Sequence, residues 1–384
     1  MSGFTGRASH EVITSVHNSS GHDVQSTSAR DFDLHRHPRG QIWNEMGFRT
    51  WIVVAACGAC GSSPHGGTAS DAEVGSNIVD AAAGSDARPR DAAMPISDAC
   101  LPSPHTGHEV YACNGFNFDV EVPAGCLAGG CGLIIDVPGR TMDAAMEDAN
   151  TGMRARGDAA GFIVIQPNAN PAPPQSTFNP TPADDAKLYD FFTRAIAVYA
   201  VDPHRIHMTG FSEGGFMTWR FLCDHADLFA SVAPGAAASN CTILQIPACS
   251  FTGTQLPSRQ LPILYMHGTA DEDYVQYECA QPQIDAVVAA WGLTSQGIIA
   301  SDATYRRTRW TNASGGLLEF ISHDYYSTQE VLFIPQTKLE GHCYPGSTDP
   351  GGLTGQLMSF KCEQPASFTW GDEVMKFFVA HPKP

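Results

Sequence analysis

The sequence predicts an α/β protein: a mostly parallel central sheet with helices on both faces. Three observations carry that expectation. Apolar runs alternate with helical patterns from about residue 130 onward. The runs are rich in β-branched residues and nearly continuous, as expected of strands covered on both sides. A serine stands on the turn between one such run and a helix. Strand–helix alternation of this kind implies parallel pairing, and in such sheets the functional loops gather at the carboxyl ends of the strands.

Taken in order, Leu133-Ile134-Ile135-Asp136-Val137 and Phe162-Ile163-Val164-Ile165 read as buried strands. Leu188, Phe191, Phe192, Ala195, Ile196 and Tyr199 then repeat at helical spacing and give one apolar stripe. Asp202-Pro203 punctuates the chain before a strand over Arg205–Thr209. Gly210-Phe211-Ser212-Glu213-Gly214 follows, opening an apolar helix through Phe216–Leu222. Pro262–His267 and Val331–Ile334 read as further strands, and a terminal amphipathic helix carries Val374, Met375, Phe377 and Phe378.

The chain has 384 residues and a formal net charge of −18, which argues against nucleic acid as a partner because phosphates demand Lys and Arg. No apolar run approaches the roughly 18–20 residues of a membrane span. Residues 1–45 are polar and without periodicity, and read as a disordered or untranslated extension. At 46–57 a small basic segment, a short apolar stretch and Val54-Ala55-Ala56-Cys57 resemble a lipoprotein signal, with Met46 as the start and Cys57 as the lipid-attachment residue. Residues 58–99 are Asp, Ala, Gly, Ser and Pro and cannot bury enough apolar area to order, so they read as a flexible tether. The folded unit is expected over 100–384.

Ten of the twelve cysteines fall in that unit, which suits up to five disulfides in an oxidising compartment. Cys241–Cys249 and one pair among Cys113, Cys126 and Cys131 are the local expectations. Paired C-x-x-C knuckles, the mark of structural zinc, do not occur in this part of the sequence.

A serine hydroxyl becomes a nucleophile when a base takes its proton and an acid holds that base in the right tautomer. Gly210-Phe211-Ser212-Glu213-Gly214 has the strand-to-helix context of a nucleophile elbow. Downstream, Asp271 follows the 262–267 strand, with Asp273 as the fallback acid, and His342 lies in the turn-rich loop Gly341–Gly346. His267 reads as structural, His323 as part of a polar surface segment, and His381 lies too near the end. The order Ser212, Asp271, His342 is that of the α/β-hydrolases. The oxyanion donors are expected to be the backbone N–H groups of Glu213 and of Arg140, in the turn after the 133–137 strand. The Glu213 carboxylate should point away from the oxyanion or pair with a cation such as Arg140. Tyr344, Phe178 and Tyr189 are candidates to line a substrate groove.

From Val110 to its end the chain resembles the extracellular poly(3-hydroxybutyrate) depolymerase and feruloyl/acetylxylan esterase group of α/β-hydrolases. The resemblance rests on Pro138-Gly139-Arg140, Asn150-Thr151-Gly152-Met153, Val201-Asp202-Pro203-His204-Arg205-Ile206 and Gly210–Gly215. It extends through Asp227–Pro234, His267-Gly268-Thr269-Ala270-Asp271 and Gly341–Gly346. It implies Ser212, Asp271 and His342 as nucleophile, acid and base. Three departures bear on substrate: Pro138-Gly139 replaces the usual His-Gly, Cys343-Tyr344 replaces Thr-Trp, and 167–183 lacks tryptophan. The resulting expectation is an exported serine esterase with no cofactor or metal, acting on a polyester or, alternatively, on feruloyl or acetyl esters of plant polysaccharide. A peptidase of the prolyl-oligopeptidase type and an inactive surface binder are the rival readings.

Overall fold

The first two strands, β1 (Gly107–Cys113) and β2 (Phe116–Val122), form an antiparallel hairpin closed by Asn114-Gly115. Both turn residues have positive φ, 54° and 88°, which is what a two-residue hairpin turn matching strand twist requires. The computed structural model describes residues 98–384 except 180–181, 240–245, 333 and 335. The expectations for 1–45 and 46–57, Cys57 included, and for nearly all of the 58–99 tether lie outside the described residues.

β3 (Gly132–Val137) is buried at every position and leads through a turn into α1 (Ala144–Thr151) and α2 (Met153–Ala160). Asp143 caps α1 by accepting a hydrogen bond from the Met146 N–H at 2.9 Å. β4 (Phe162–Asn168), α3 (Pro182–Val198), β5 (Ile206–Phe211), α4 (Glu213–His225), β6 (Ser231–Gly235) and β7 (Pro262–Gly268) continue the alternation. α5 (Ala280–Trp291) precedes three strands, β8 (Thr294–Ser301), β9 (Tyr305–Thr311) and β10 (Leu317–His323). A small hairpin of β11 (Ser327–Glu330) and β12 (Lys338–Glu340) and the helix α6 (Trp370–Ala380) complete the chain.

Ten strands make one sheet in the order β1-β2-β4-β3-β5-β6-β7-β10-β9-β8. The six central strands from β4 to β10 pair in parallel, and an antiparallel pair flanks them on each side. This is the α/β-hydrolase sheet the sequence predicts. Connections from β3 run outward to β4, whereas those from β5 run the other way through β6 and β7. The switch point therefore lies between β3 and β5, where the carboxyl ends open a crevice.

The sequence expectation for 331–334 does not hold. Val331 and Ile334 belong to a loop closed by Val331 N–H to Thr337 and Ile334 N–H to Val331, Leu332 is 64% exposed, and Phe333 lies outside the described residues. The strand beside β7 is instead β10. Its neighbour β9 escapes an apolar reading because Arg307 and Arg309 face the buried Glu319 of β10, each donating through Nε at 2.6 Å.

Four disulfides are described: Cys100–Cys113, Cys126–Cys131, Cys223–Cys249 and Cys343–Cys362; Cys279 is also disulfide-bonded. Cys126–Cys131 falls within the expected trio. Cys249 pairs with Cys223 rather than Cys241, because the end of α4 brings the two Cα atoms to 5.6 Å, within bridging reach.

The bridge between Cys343 and Cys362 spans a sequence separation of 19 and ties down the segment after His342. Replacing both cysteines with serine should lower the unfolding free energy by about 3 kcal/mol. Chemical denaturation followed by fluorescence checks this; an unmoved midpoint would show that the loop is held by packing alone.

Candidate active site

Ser212 sits where β5 ends and α4 begins, at φ 53° and ψ −116°, a strained conformation for a residue with a Cβ. The strain is tolerated because the flanking backbone has nowhere else to go. A Cβ on Gly214 would lie 2.0 Å from the Val137 carbonyl oxygen, and one on Gly210 would lie 2.6 Å from the Gly214 backbone. The two glycines of G-x-S-x-G thus let the start of α4 press against the end of β3. That contact brings the turn after β3 under the serine: a Cβ on Gly139 would lie 3.5 Å from Ser212 Cβ.

The loops that carry Asp271 and His342 meet. Asp271, just after β7, and His342, after β12, are both buried, and His342 Nδ1 lies 2.7 Å from Asp271 Oδ2. Asp271 Oδ1 accepts the Val275 N–H at 3.0 Å. Burial by itself would raise the Asp271 pKa, but the charge of His342 and the hydrogen bonds from His267 and His342 outweigh it and bring the carboxyl down to about 2. The acid is therefore ionised throughout the neutral range, as an imidazole-orienting group must be. Asp273, the fallback, is exposed.

His342 is boxed by aromatic rings: Tyr274 at 4.6 Å, Phe211 at 4.9 Å and Phe360 at 6.2 Å between centroids. Phe211 immediately precedes Ser212, so the imidazole packs against the residue before the elbow. Among the described residues His342 Nε2 has no hydrogen-bond partner, and no hydrogen bond joins it to Ser212.

His267 has a larger role than its sequence position suggested. Its Nε2 lies 2.8 Å from the Val275 carbonyl and 3.2 Å from Asp271 Oδ2, while Nδ1 lies 2.7 Å from the Tyr265 hydroxyl. With the Tyr265 O–H donating to Nδ1, Nε2 carries the proton and donates to the Val275 carbonyl, with Asp271 Oδ2 as a longer second acceptor. The signal was the i, i+4 spacing of His267 and Asp271 across the turn after β7. His323, expected on the surface, is buried at the end of β10 beside Gly268, and burial depresses its pKa to about 3. The polar residues around it misled: they belong to the following turn and not to the strand.

Neither the Arg140 nor the Glu213 backbone N–H donates to another backbone group in the turns and loops of the described residues. Thr141 N–H donates to Ser176 O at 2.8 Å, which fixes the turn. The Glu213 carboxylate accepts from Thr177 Oγ1 at 2.7 Å and Phe178 N–H at 3.1 Å, away from the serine. Burial raises its pKa, and those two donors, with Arg140 and Arg220 more remotely, counter the rise. Glu213 is thus held by neutral donors, and Arg140 forms no ion pair with it among the described residues.

The residues proposed to line a groove sit elsewhere. Phe178 is buried and packs on Phe116 at 6.1 Å. Tyr189, on α3, stacks on His225 at 3.8 Å. Tyr344 is fully buried, stacks on Phe211 at 4.0 Å and donates its hydroxyl to Glu147 Oε2 at 2.6 Å. Phe178 and Tyr344 went wrong for one reason: loop position suggests exposure, but both loops fold inward over the sheet.

Tyr344 leads to a buried acid pair the sequence did not reveal. Glu147 of α1 neighbours Asp136 of β3, whose Oδ2 accepts from Thr151 Oγ1 at 2.9 Å and Gln166 Nε2 at 2.8 Å. Burial pushes Asp136 up to about 6 against those hydrogen bonds, and burial together with the Asp136 charge raises Glu147 well above the usual carboxylate range. No cluster of three or more His, Cys, Asp or Glu among the described residues is arranged to hold a metal ion, and no described helix is long and apolar enough to cross a membrane.

With a parallel sheet, a strained serine at its switch point and a buried acid–imidazole pair, the fold is that of the α/β-hydrolases. No protein-family profile matches the chain. In sequence it is similar to the bifunctional acetylxylan esterase/xylanase XynS20E of Neocallimastix patriciarum, 25% identical over 167 residues, covering 43% of this chain and 23% of that protein. It is also similar to feruloyl esterase B of Piromyces equi, 36% identical over 105 residues, covering 27% of this chain and 18% of that one. The chain spans half or less of the length of the curated relatives it matches. Among solved structures it is similar to an acetyl xylan esterase from Aspergillus awamori, with a TM-score of 0.44 and 16% identity, covering 54% of this chain and 89% of that one.

The acid pair gives a pH prediction. An acid whose folded pKa is raised keeps its proton in the native state after the unfolded chain has lost it, so stability falls as pH rises from about 4 to about 6. Asp136→Asn preserves the acceptor for Thr151 and Gln166 and removes that loss. It should stabilise the protein by up to about 3 kcal/mol above pH 6 and by nothing near pH 4, read as unfolding midpoints across pH. Equal shifts at both pH values would refute the assignment.

Proposed function

We propose that this chain is a serine esterase that cleaves carboxylic esters through an acyl-enzyme. The observation that carries the reading is the buried Asp271–His342 contact of 2.7 Å, with the imidazole 4.9 Å from the ring of Phe211, the residue before Ser212. Ser212 Oγ attacks the ester carbonyl as His342 Nε2 takes its proton, and Asp271 stabilises the imidazolium through Nδ1–H. The Arg140 and Glu213 N–H groups meet the negative oxygen of the tetrahedral intermediate. As that intermediate collapses, the alcohol leaves with the proton from Nε2. Water then attacks the acyl group, giving its proton to the same nitrogen, and the acid departs with Ser212 restored.

Acetyl or feruloyl esters carried on a polysaccharide are the substrates this reading favours over poly(3-hydroxybutyrate), because relatives of the chain bear acetylxylan and feruloyl esterase names. The disulfides suit an exported protein. Lipid attachment at Cys57 completes the reading and would hold the enzyme at the outer surface of a cell.

Ser212→Ala should lower turnover of p-nitrophenyl acetate by several orders of magnitude and abolish labelling by a fluorophosphonate, since members of such a triad act as a unit. Near-normal turnover would remove Ser212 from the chemistry. Side-by-side assays on acetylated xylan, methyl ferulate, a poly(3-hydroxybutyrate) suspension and an N-acyl-prolyl amide separate the ester classes from one another and from a peptidase.

A further inference from the structure

A cavity of about 710 Å³ lies at the tip of the β1–β2 hairpin, lined among others by Asn114, Phe116, Asn117, Asp143, Asn168 and Asn170. It opens on the same edge of the sheet as the serine. β4 ends at Asn168, next to the carboxyl end of β3, and β2 runs antiparallel to β4 with Asn117 opposite Asn168. Three interstrand spacings, about 14 Å, separate β2 from β5. Two stretches of chain join the cavity to the elbow. Asp143 stands three residues beyond Arg140 in the oxyanion turn. The wall formed by Ala169, Asn170, Ala172 and Pro173 runs on into Ser176, whose carbonyl holds Thr141 N–H, and into Thr177 and Phe178, which hold Glu213.

The chemistry of the lining selects a ligand class. Its polar groups are four amides and one carboxylate, with no Lys or Arg, so it offers nothing to an anion. Several of the amides keep unused capacity. Asn117 is engaged through its backbone carbonyl, by Asn168 Nδ2 at 3.3 Å, which leaves its side-chain amide to the cavity. Asn170 donates to Gly115 O at 3.4 Å and Asn114 donates to Asp190 Oδ2 at 2.9 Å, leaving an amide oxygen on each. Asp143 uses Oδ1 to cap α1 and keeps Oδ2. Amides that both donate and accept suit hydroxyl groups, which do the same. A poly(3-hydroxyalkanoate) chain brings ester acceptors and alkyl groups but no interior donor, and would leave these oxygens unpaired.

We propose that this cavity is a subsite for the neutral, hydroxyl-rich main chain of an acylated polysaccharide, seated while one of its ester groups reaches Ser212. The proposal rests on the esterase reading and names its substrate class. At about 14 Å from the serine strand, the subsite is reached only by a ligand several sugars long, and a small ester does not touch it.

The test uses the full disulfide-bonded chain. The variants are Asn117→Ala, Asn170→Ala, the double variant, and Ala112→Arg, which places a long side chain in the cavity from an exposed position of β1. On acetylated xylo-oligosaccharides the double variant and Ala112→Arg should raise KM at least about tenfold with kcat little changed, the loss of two hydrogen bonds worth about 0.7 kcal/mol each. On p-nitrophenyl acetate all four should match the parent. Parent-like KM on the oligosaccharide overturns the subsite, as does a loss confined to poly(3-hydroxybutyrate). If the parent itself is inert towards p-nitrophenyl acetate, the esterase reading fails instead. Calorimetry of xylohexaose with Ser212→Ala protein then still reports on the cavity: binding weakened by Asn117→Ala supports it, and no binding overturns it.

Discussion

The backbone of α4 touches the end of β3 with no side chain between them, and the geometry of the candidate site follows from that contact. Gly214 meets the Val137 carbonyl at a separation no Cβ would permit. Because the two elements are in backbone contact, Ser212 at the head of α4 and the turn at the end of β3 are held in a fixed relation. Electrostatic stabilisation of a transition state depends on donors already in place, and such placement is easier to keep in packed backbone than in mobile side chains. The positive φ of Ser212 is the conformational cost of that arrangement, and the parallel strands on either side hold it there.

Asp271 and His342 come from the other half of the sheet and depend on a different device. Asp271 gathers Val275 N–H, His267 and His342 around one carboxylate, so loops that follow β7 and β12 converge on a single buried charge. The aromatic box of Phe211, Tyr274 and Phe360 then fixes the imidazole ring in a place the hydrogen bond to Asp271 alone would leave free to rotate. Beneath it, Tyr344 connects the base loop to Glu147 and Asp136, polar groups that burial keeps away from full charge. Buried acids of this kind oppose folding at neutral pH, and their hydrogen bonds give the layer beneath the serine a defined shape.

Much of this could be read in the sequence, for physical reasons. β3, β4, β5 and β7 are covered on both faces, so they appear as unbroken apolar runs, and α3 shows its stripe because only one side meets the sheet. The G-x-S-x-G glycines are visible because close backbone contact admits no other residue. β8 and β9 were hidden because edge strands are polar: β8 is exposed along most of its length, and β9 is held by arginines paired to Glu319. The 331–334 run misled in the opposite sense, being apolar without a sheet partner. Burial of His323, Phe178 and Tyr344 depends on how distant loops fold back, which no local pattern encodes.

Cys343 adjoins His342, and its bridge to Cys362 closes the segment that carries the imidazole. Ser212 and Asp271 each follow directly on a sheet strand, whereas His342 lies on a loop that carries this additional covalent tie. A chain still surrounded by reducing thiols therefore lacks one fastening of the His342 loop. Oxidation thus adds a covalent limit on how far that segment can travel, over and above the Asp271 hydrogen bond and the ring contacts that hold the imidazole.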